Sequence, residues 1–118
     1  MIFSYQIEEK EGIVLLYLSG NVLEELEETI LYEKINALLE NGARALVVDL
    51  SKITHINSSG LNLLIRLLTK CRNSNGEMIL CSLPDNVQNL LIITKLTSIF
   101  EIAKDVDAAM ERLAQNTL

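Results

Sequence analysis

The stretch VVDLSKITHINSSGL, residues 47–61, decides how this chain is read. Ala45 to Leu50 is apolar but for Asp49, and Asp49 and Ser51 mark its end. Such a run, placed after a helical pattern, fits a strand buried on both faces and paired in parallel. Ser58, Ser59 and Gly60 then open a second periodic segment that reaches about Arg72. Its apolar residues (Leu61, Leu63, Leu64, Ile65, Leu67, Leu68 and Cys71) cover most of the helical circumference and leave a polar stripe of Asn62, Arg66, Thr69, Lys70 and Asn73. That pattern predicts a helix buried on more than one side. A buried strand therefore delivers a polar loop, residues 52–57, to the start of a buried helix. The first N–H groups of a helix lack intrahelical partners, and its dipole favours negative charge. Ser58 or Ser59 can be read as an ordinary N-cap, since serine is a preferred capping residue. Equally, a phosphate on a serine at this point would be tolerated or stabilised.

On the N-terminal side, Phe3, Tyr5 and Ile7 alternate with Ser4, Gln6 and Glu8, the period of a half-buried edge strand. Lys10, Glu11 and Gly12 make a turn into the apolar run 13–18, so the two strands are expected to form a hairpin. Leu23, Leu26, Ile30, Leu31, Ile35, Leu38 and Leu39 then recur at helical spacing, with Glu24, Glu25, Glu27, Glu28 and Glu40 assigned to the wet side. Asn41 and Gly42 end that helix. On the C-terminal side, a turn at 73–76 leads to an apolar strand at 78–83. Pro84 and Asp85 start a third helix carrying Val87, Leu90, Leu91 and Ile93, with Pro84 expected at its first position. Residues 99–102 read as a short edge strand. Asp105 caps a last helix with Val106, Ala109, Met110 and Leu113 on one face. The order β-β-α-β-α-β-α-β-α predicts a single α/β domain over residues 1–118: a mixed, mostly parallel sheet of four to five strands with about four helices.

Composition narrows the function. With 118 residues, 49% of them hydrophobic, the chain can fill one core, built from Leu, Ile and Val because aromatics are 4%. Ten basic against sixteen acidic residues give a net charge of −6, which argues against nucleic acid and against an anionic membrane surface. The charge suits steering toward a basic patch on a protein partner. Cys71 and Cys81 both fall in apolar runs and read as buried, reduced thiols. With those two cysteines and His55 as the one histidine, no metal site or cofactor is expected. No basic flank precedes a long apolar stretch at the N-terminus, and no run approaches the length of a membrane span, so a cytoplasmic location is expected.

The whole pattern resembles the STAS domain of anti-sigma-factor antagonists and of the cytoplasmic tails of sulfate transporters. The family signature is an apolar strand ending in Asp-Leu-Ser, a short loop, then Asp-Ser-Ser-Gly or Asp-Ser-Thr-Gly followed by Leu. Here it stands as Asp49-Leu50-Ser51 and Asn57-Ser58-Ser59-Gly60-Leu61, with Asn57 in place of Asp. Leu18-Ser19-Gly20, Gly76 and Leu83-Pro84-Asp85-Asn86-Val87 extend the likeness over nearly the whole chain. The resemblance implies a STAS-like fold and no catalysis. It further implies a partner anti-sigma factor with serine kinase activity that phosphorylates Ser58. Unmodified chain would bind that partner, phosphorylation would break the complex, and transcription would be regulated indirectly. The docking surface is then expected to include Thr54, His55, Asn57, Ser58, Ser59, Gly60 and Asn62, with Lys52 on its rim. Ser58 and His55 do not make a hydrolase pair, since no Gly-x-Ser-x-Gly elbow is present. Two alternatives remain at this point. One is a constitutive, unphosphorylated scaffold or adaptor in a signalling or transport assembly, which Asn57 favours. The other is a sensor of a nucleotide or lipid near the same helix start.

Overall fold

Two residues turn the chain at its N-terminal hairpin. Glu11 (φ 55°) and Gly12 (φ 80°) both lie in the left-handed region, as a tight two-residue hairpin loop requires, and glycine takes that region without strain. They join β1 (Ser4–Lys10) to β2 (Ile13–Val22), which pair antiparallel with Lys10 opposite Ile13 and Ser4 opposite Ser19. The structure, a computed structural model, describes residues 3–22 and 25–115. Leu23 and Glu24 lie outside the described residues, as do the side chains of Glu25 and Leu26.

From β2 onward the chain repeats one move. Helix α1 (Glu25–Glu40) carries it to β3 (Ala45–Ile56), α2 (Ser58–Asn73) to β4 (Glu77–Cys81), and α3 (Asp85–Ile93) with a 3-10 turn (Leu96–Ser98) to β5 (Glu101–Ala103). The five strands lie in sequence order, β2 to β5 all parallel. Right-handed crossovers that always step in the same direction put their helices on the same face of the sheet. Accordingly Leu31, Ile35 and Leu39 of α1, Leu63, Leu64 and Leu67 of α2, and Val87 and Leu91 of α3 share one core with Val14, Leu16, Leu46, Val48, Leu50 and Leu80. The last helix, α4 (Val106–Gln115), packs on the other face, with Ala109 and Leu113 against Ile13, Leu15, Ala45, Val47, Ile79 and Cys81. Strand side chains alternate between these two cores, the two-residue period of a sheet covered on both faces.

Several boundaries differ from the sequence reading. Residues 52–56 are not loop: β3 continues to Ile56 because β2 also continues, pairing Ser19 with Lys52, Gly20 with Ile53, Asn21 with His55 and Val22 with Ile56. Register slips between Tyr17 and Ser19, and between Gly20 and Asn21, are needed for this pairing. On α1, Ile30 is 45% exposed whereas Glu28 is buried, the reverse of the expectation. Positions 28, 31, 35 and 39 follow one another at three- and four-residue steps and so share a face, while position 30 is rotated off it. Pro84 precedes α3 in extended conformation (φ −63°, ψ 157°) rather than occupying its first turn. Gly76 fits close backbone: a Cβ there would meet the Arg44 carbonyl oxygen at 3.0 Å.

Candidate functional site

Asn57, not a serine, caps α2. It is extended (φ −110°, ψ −170°), its Oδ1 accepts from the Gly60 amide at 3.0 Å, and its carbonyl accepts from the Leu61 amide at 3.0 Å. Asparagine serves as well as aspartate in this role because one acceptor oxygen suffices. With the capping done by Asn57, Ser58 falls in the first turn, exposed to solvent, and its hydroxyl has no hydrogen-bond partner among the described residues. Ser59 is half-buried, Gly60 is buried, and Asn62 is exposed one turn beyond Ser58. Gly60 therefore stands behind the surface, its amide already engaged, while Asn57, Ser58 and Asn62 face outward.

The electrostatics of this helix start are distinctive. The first turn of α2 contains no acidic residue. The helix's own first turn thus brings no counter-charge to the positive end of its dipole, where an added anion is favoured. At the other end, Lys70 and Arg72 meet the negative pole, Lys70 also pairing with Glu40 at 3.2 Å.

The strand leading into the site is held from both sides. Asn21 Oδ1 accepts from Thr54 Oγ1 at 2.6 Å and contacts His55 Nδ1 at 3.1 Å. From α3, Asn86 Nδ2 donates to the Thr54 carbonyl at 3.0 Å. Thr54 is half-buried by these contacts, and His55 and Lys52 are exposed. Neither Asn21 nor Asn86 belongs to the sequence-derived surface. Asn86 stood within a recognised segment, but nothing in the spacing indicated that it reaches residue 54. The Asp49-Leu50-Ser51 part of the signature is occupied locally: Asp49 Oδ1 accepts from the Ser51 amide at 2.8 Å and the Ser51 hydroxyl at 2.6 Å.

A groove of about 410 Å³ adjoins the site at Lys52 and is lined further by Ser4, Gln6, Glu8, Tyr17, Ser19 and Asp49 among others. By strand alternation these residues point to the α4 face, opposite α2. Burial there, with Glu8 and Asp49 nearby, pushes the Tyr17 phenol upward. Cys71 and Cys81 are free, buried thiols. Burial pushes Cys71 up to about 11, and burial with the Asp49 charge pushes Cys81 up to about 12. Thiols held protonated in this way are inert. Among the described residues no cluster of three or more His, Cys, Asp or Glu could hold a metal ion, and no helix is long and apolar enough to cross a membrane.

Comparison with known proteins places this architecture. The chain is 29% identical over 99 residues to BtrV of Bordetella bronchiseptica, assigned as an anti-sigma factor antagonist, with 84% of each chain covered. The fold matches a Thermotoga maritima protein assigned to the same class (TM-score 0.78, 24% identity, 93% of this chain and 92% of that one). It also matches the anti-sigma factor antagonist SpoIIAA in its unphosphorylated form (TM-score 0.81, 19% identity, 95% and 97% covered). The phosphorylated form of SpoIIAA, a Bacillus cell fate determinant, matches at TM-score 0.75 with 19% identity, 93% and 99% covered. The STAS domain model matches residues 4–109, so the chain belongs to the STAS domain family.

Proposed function

We propose that this chain is an anti-sigma-factor antagonist that docks on an anti-sigma factor with serine kinase activity and is released from it by phosphorylation of Ser58. The observation that carries this reading is the state of Ser58. Its hydroxyl is exposed and unengaged at a helix start whose capping is done by Asn57 and whose first turn has no acidic residue. A kinase needs an accessible hydroxyl, and a phosphate needs a site that receives its charge. A phosphoserine adds about −1.5 to −2 charges. At this position the helix dipole favours the charge, so the fold need not change. A partner packed over the same surface would instead have to desolvate it, and the complex loses affinity. The relatives support the reading: they carry the antagonist assignment, and SpoIIAA keeps the shared fold in both phosphorylation states.

On this reading Thr54, His55, Asn57, Ser58, Ser59 and Asn62 form the contact surface, with Gly60 behind it and Lys52 on the rim. The net charge of −6 matches a basic counterpart on the partner. Incubation with the serine-kinase anti-sigma factor and ATP is expected to add one phosphate, mapped to Ser58 and absent from Ser58→Ala. Phosphate on another residue would overturn the assignment. A second reading, a constitutive adaptor, is favoured by Asn57 in place of the usual aspartate. It predicts a tight partner recovered with the chain still unmodified after kinase treatment.

A further inference from the structure

His55 is the one histidine of the chain, and its ring is exposed. Its Nδ1 lies 3.1 Å from Asn21 Oδ1. An amide oxygen can accept a hydrogen bond and cannot donate one, so that contact requires the proton on Nδ1. The neutral ring then has a bare lone pair on Nε2, which has no hydrogen-bond partner among the described residues. The same Asn21 oxygen also takes the Thr54 hydroxyl at 2.6 Å. Successive strand residues normally point to opposite faces. The register slip between Gly20 and Asn21 is the local irregularity at which one side chain reaches both Thr54 and His55. Asn86, bound to the Thr54 carbonyl at 3.0 Å, fixes the strand from the α3 side.

We infer that Asn21 is a positioning residue of the docking surface: it fixes His55 as the Nδ1–H tautomer, so that Nε2 is presented as a hydrogen-bond acceptor to an N–H or O–H donor on the protein that docks at Ser58. The inference rests on the docking reading above and adds to it the chemistry by which the partner is recognised beside the serine. A donor at that place on the partner, a lysine or arginine above all, also suits the acidic character of this chain. The orienting oxygen comes from β2, some thirty residues earlier in sequence than the residues it holds.

The test has a spectroscopic arm and a binding arm. Long-range proton–nitrogen correlation spectra of the full chain, at a pH where the imidazole is neutral, show one histidine and are expected to show it as the Nδ1–H tautomer. Asn21→Ala should shift it toward the Nε2–H form that a free imidazole side chain prefers. Asn21→Asp, which keeps an acceptor oxygen, should restore the Nδ1–H form. In titrations with the purified serine-kinase anti-sigma factor, Asn21→Ala and His55→Ala should each weaken binding about tenfold, the worth of one hydrogen bond. Their double variant should be no weaker than either. His55→Gln, whose side-chain oxygen offers an acceptor at the far end, should keep most of the affinity. An Nε2–H tautomer in the unaltered chain would overturn the inference. So would full affinity in Asn21→Ala alongside a changed tautomer. Absence of binding by the unaltered chain would instead overturn the docking reading itself.

Discussion

Helices α2 and α4 begin with the same device and are furnished differently. Asn57 caps α2 by accepting from the Gly60 amide at 3.0 Å, and Asp105 caps α4 by accepting from the Ala108 amide at 2.8 Å. In both, a side-chain oxygen three residues upstream satisfies an N–H that the helix cannot. At α4 the cap is a carboxylate and Asp107 follows in the first turn, so the positive pole of the dipole is already met. At α2 the cap is neutral, no acid follows, and two serines occupy the first turn. The difference separates a helix start that is finished by the fold from one that can still receive a negative group. Capping alone does not distinguish them; the charge balance around the cap does.

The largest expected effect tests that difference by supplying the missing charge. Ser58→Asp should weaken partner binding by about 2 to 3 kcal/mol, on the order of a hundredfold, and leave the melting temperature unchanged or slightly raised. Ser58→Ala should bind as the unaltered chain does. Next, removing either cap should cost about 1 kcal/mol of stability, measured by denaturant unfolding of Asn57→Ala and Asp105→Ala. The two should part in function: on the proposed reading Asn57→Ala should loosen the docking surface and weaken the partner complex, whereas Asp105→Ala, on the other face of the sheet, should leave it intact. Equal losses of binding from both would break the comparison. A smaller effect sharpens it. Asn57→Asp keeps the acceptor and adds a charge at a helix start whose first turn has none, so it should stabilise the chain by about 0.3 to 1 kcal/mol at low salt. Adding an acid beside Asp105 should gain less.

The far end of α2 gives a contrast within one helix. Ser58 is open to an enzyme, while Cys71 in the last turns is fully buried, its thiol pushed up to about 11. Native chain should therefore resist alkylation at neutral pH. The linkage has a definite sign. In the unfolded chain a thiol titrates near its ordinary 9.0, but in the folded chain Cys71 and Cys81 hold their protons to about 11 and about 12. Between those limits the folded state binds more protons, so stability is full below pH 9 and falls as pH rises through that window. Replacing both cysteines by alanine should flatten this alkaline loss in unfolding curves taken across the range.

Element order was legible in the sequence because each element carries a strong period. The alternation of Phe3, Tyr5 and Ile7, the apolar run at 45–50 and the leucine-rich 61–71 segment each point to one structure, and right-handed crossovers supply the rest. What was not legible depends on contacts distant in sequence. The extension of β3 to Ile56 follows from pairing with β2 across two register slips, which residues 52–56 do not announce. The exchange of Glu28 and Ile30 on α1 is a rotation of about one residue, within the error of reading a face from spacing. At the site, the polar helix start could be seen in Asn57, Ser58, Ser59 and Gly60, but spacing favoured a serine as the cap. The helix begins one residue earlier, at Ser58, so Asn57 holds the cap position and accepts from the Gly60 amide. Asn21 and Asn86 hold Thr54 across 33 and 32 residues, and no local pattern marks such partners.

On the proposed function, one negative group on Ser58 changes docking without changing the fold. The most direct test is calorimetric titration of the serine-kinase anti-sigma factor with the chain before and after stoichiometric phosphorylation, each sample also followed through thermal unfolding. Expected are tight binding before, a loss on the order of a hundredfold or more after, and an unfolding temperature that does not fall. Unchanged affinity of the phosphorylated chain, or a loss of affinity accompanied by a marked drop in unfolding temperature, would contradict the proposed function.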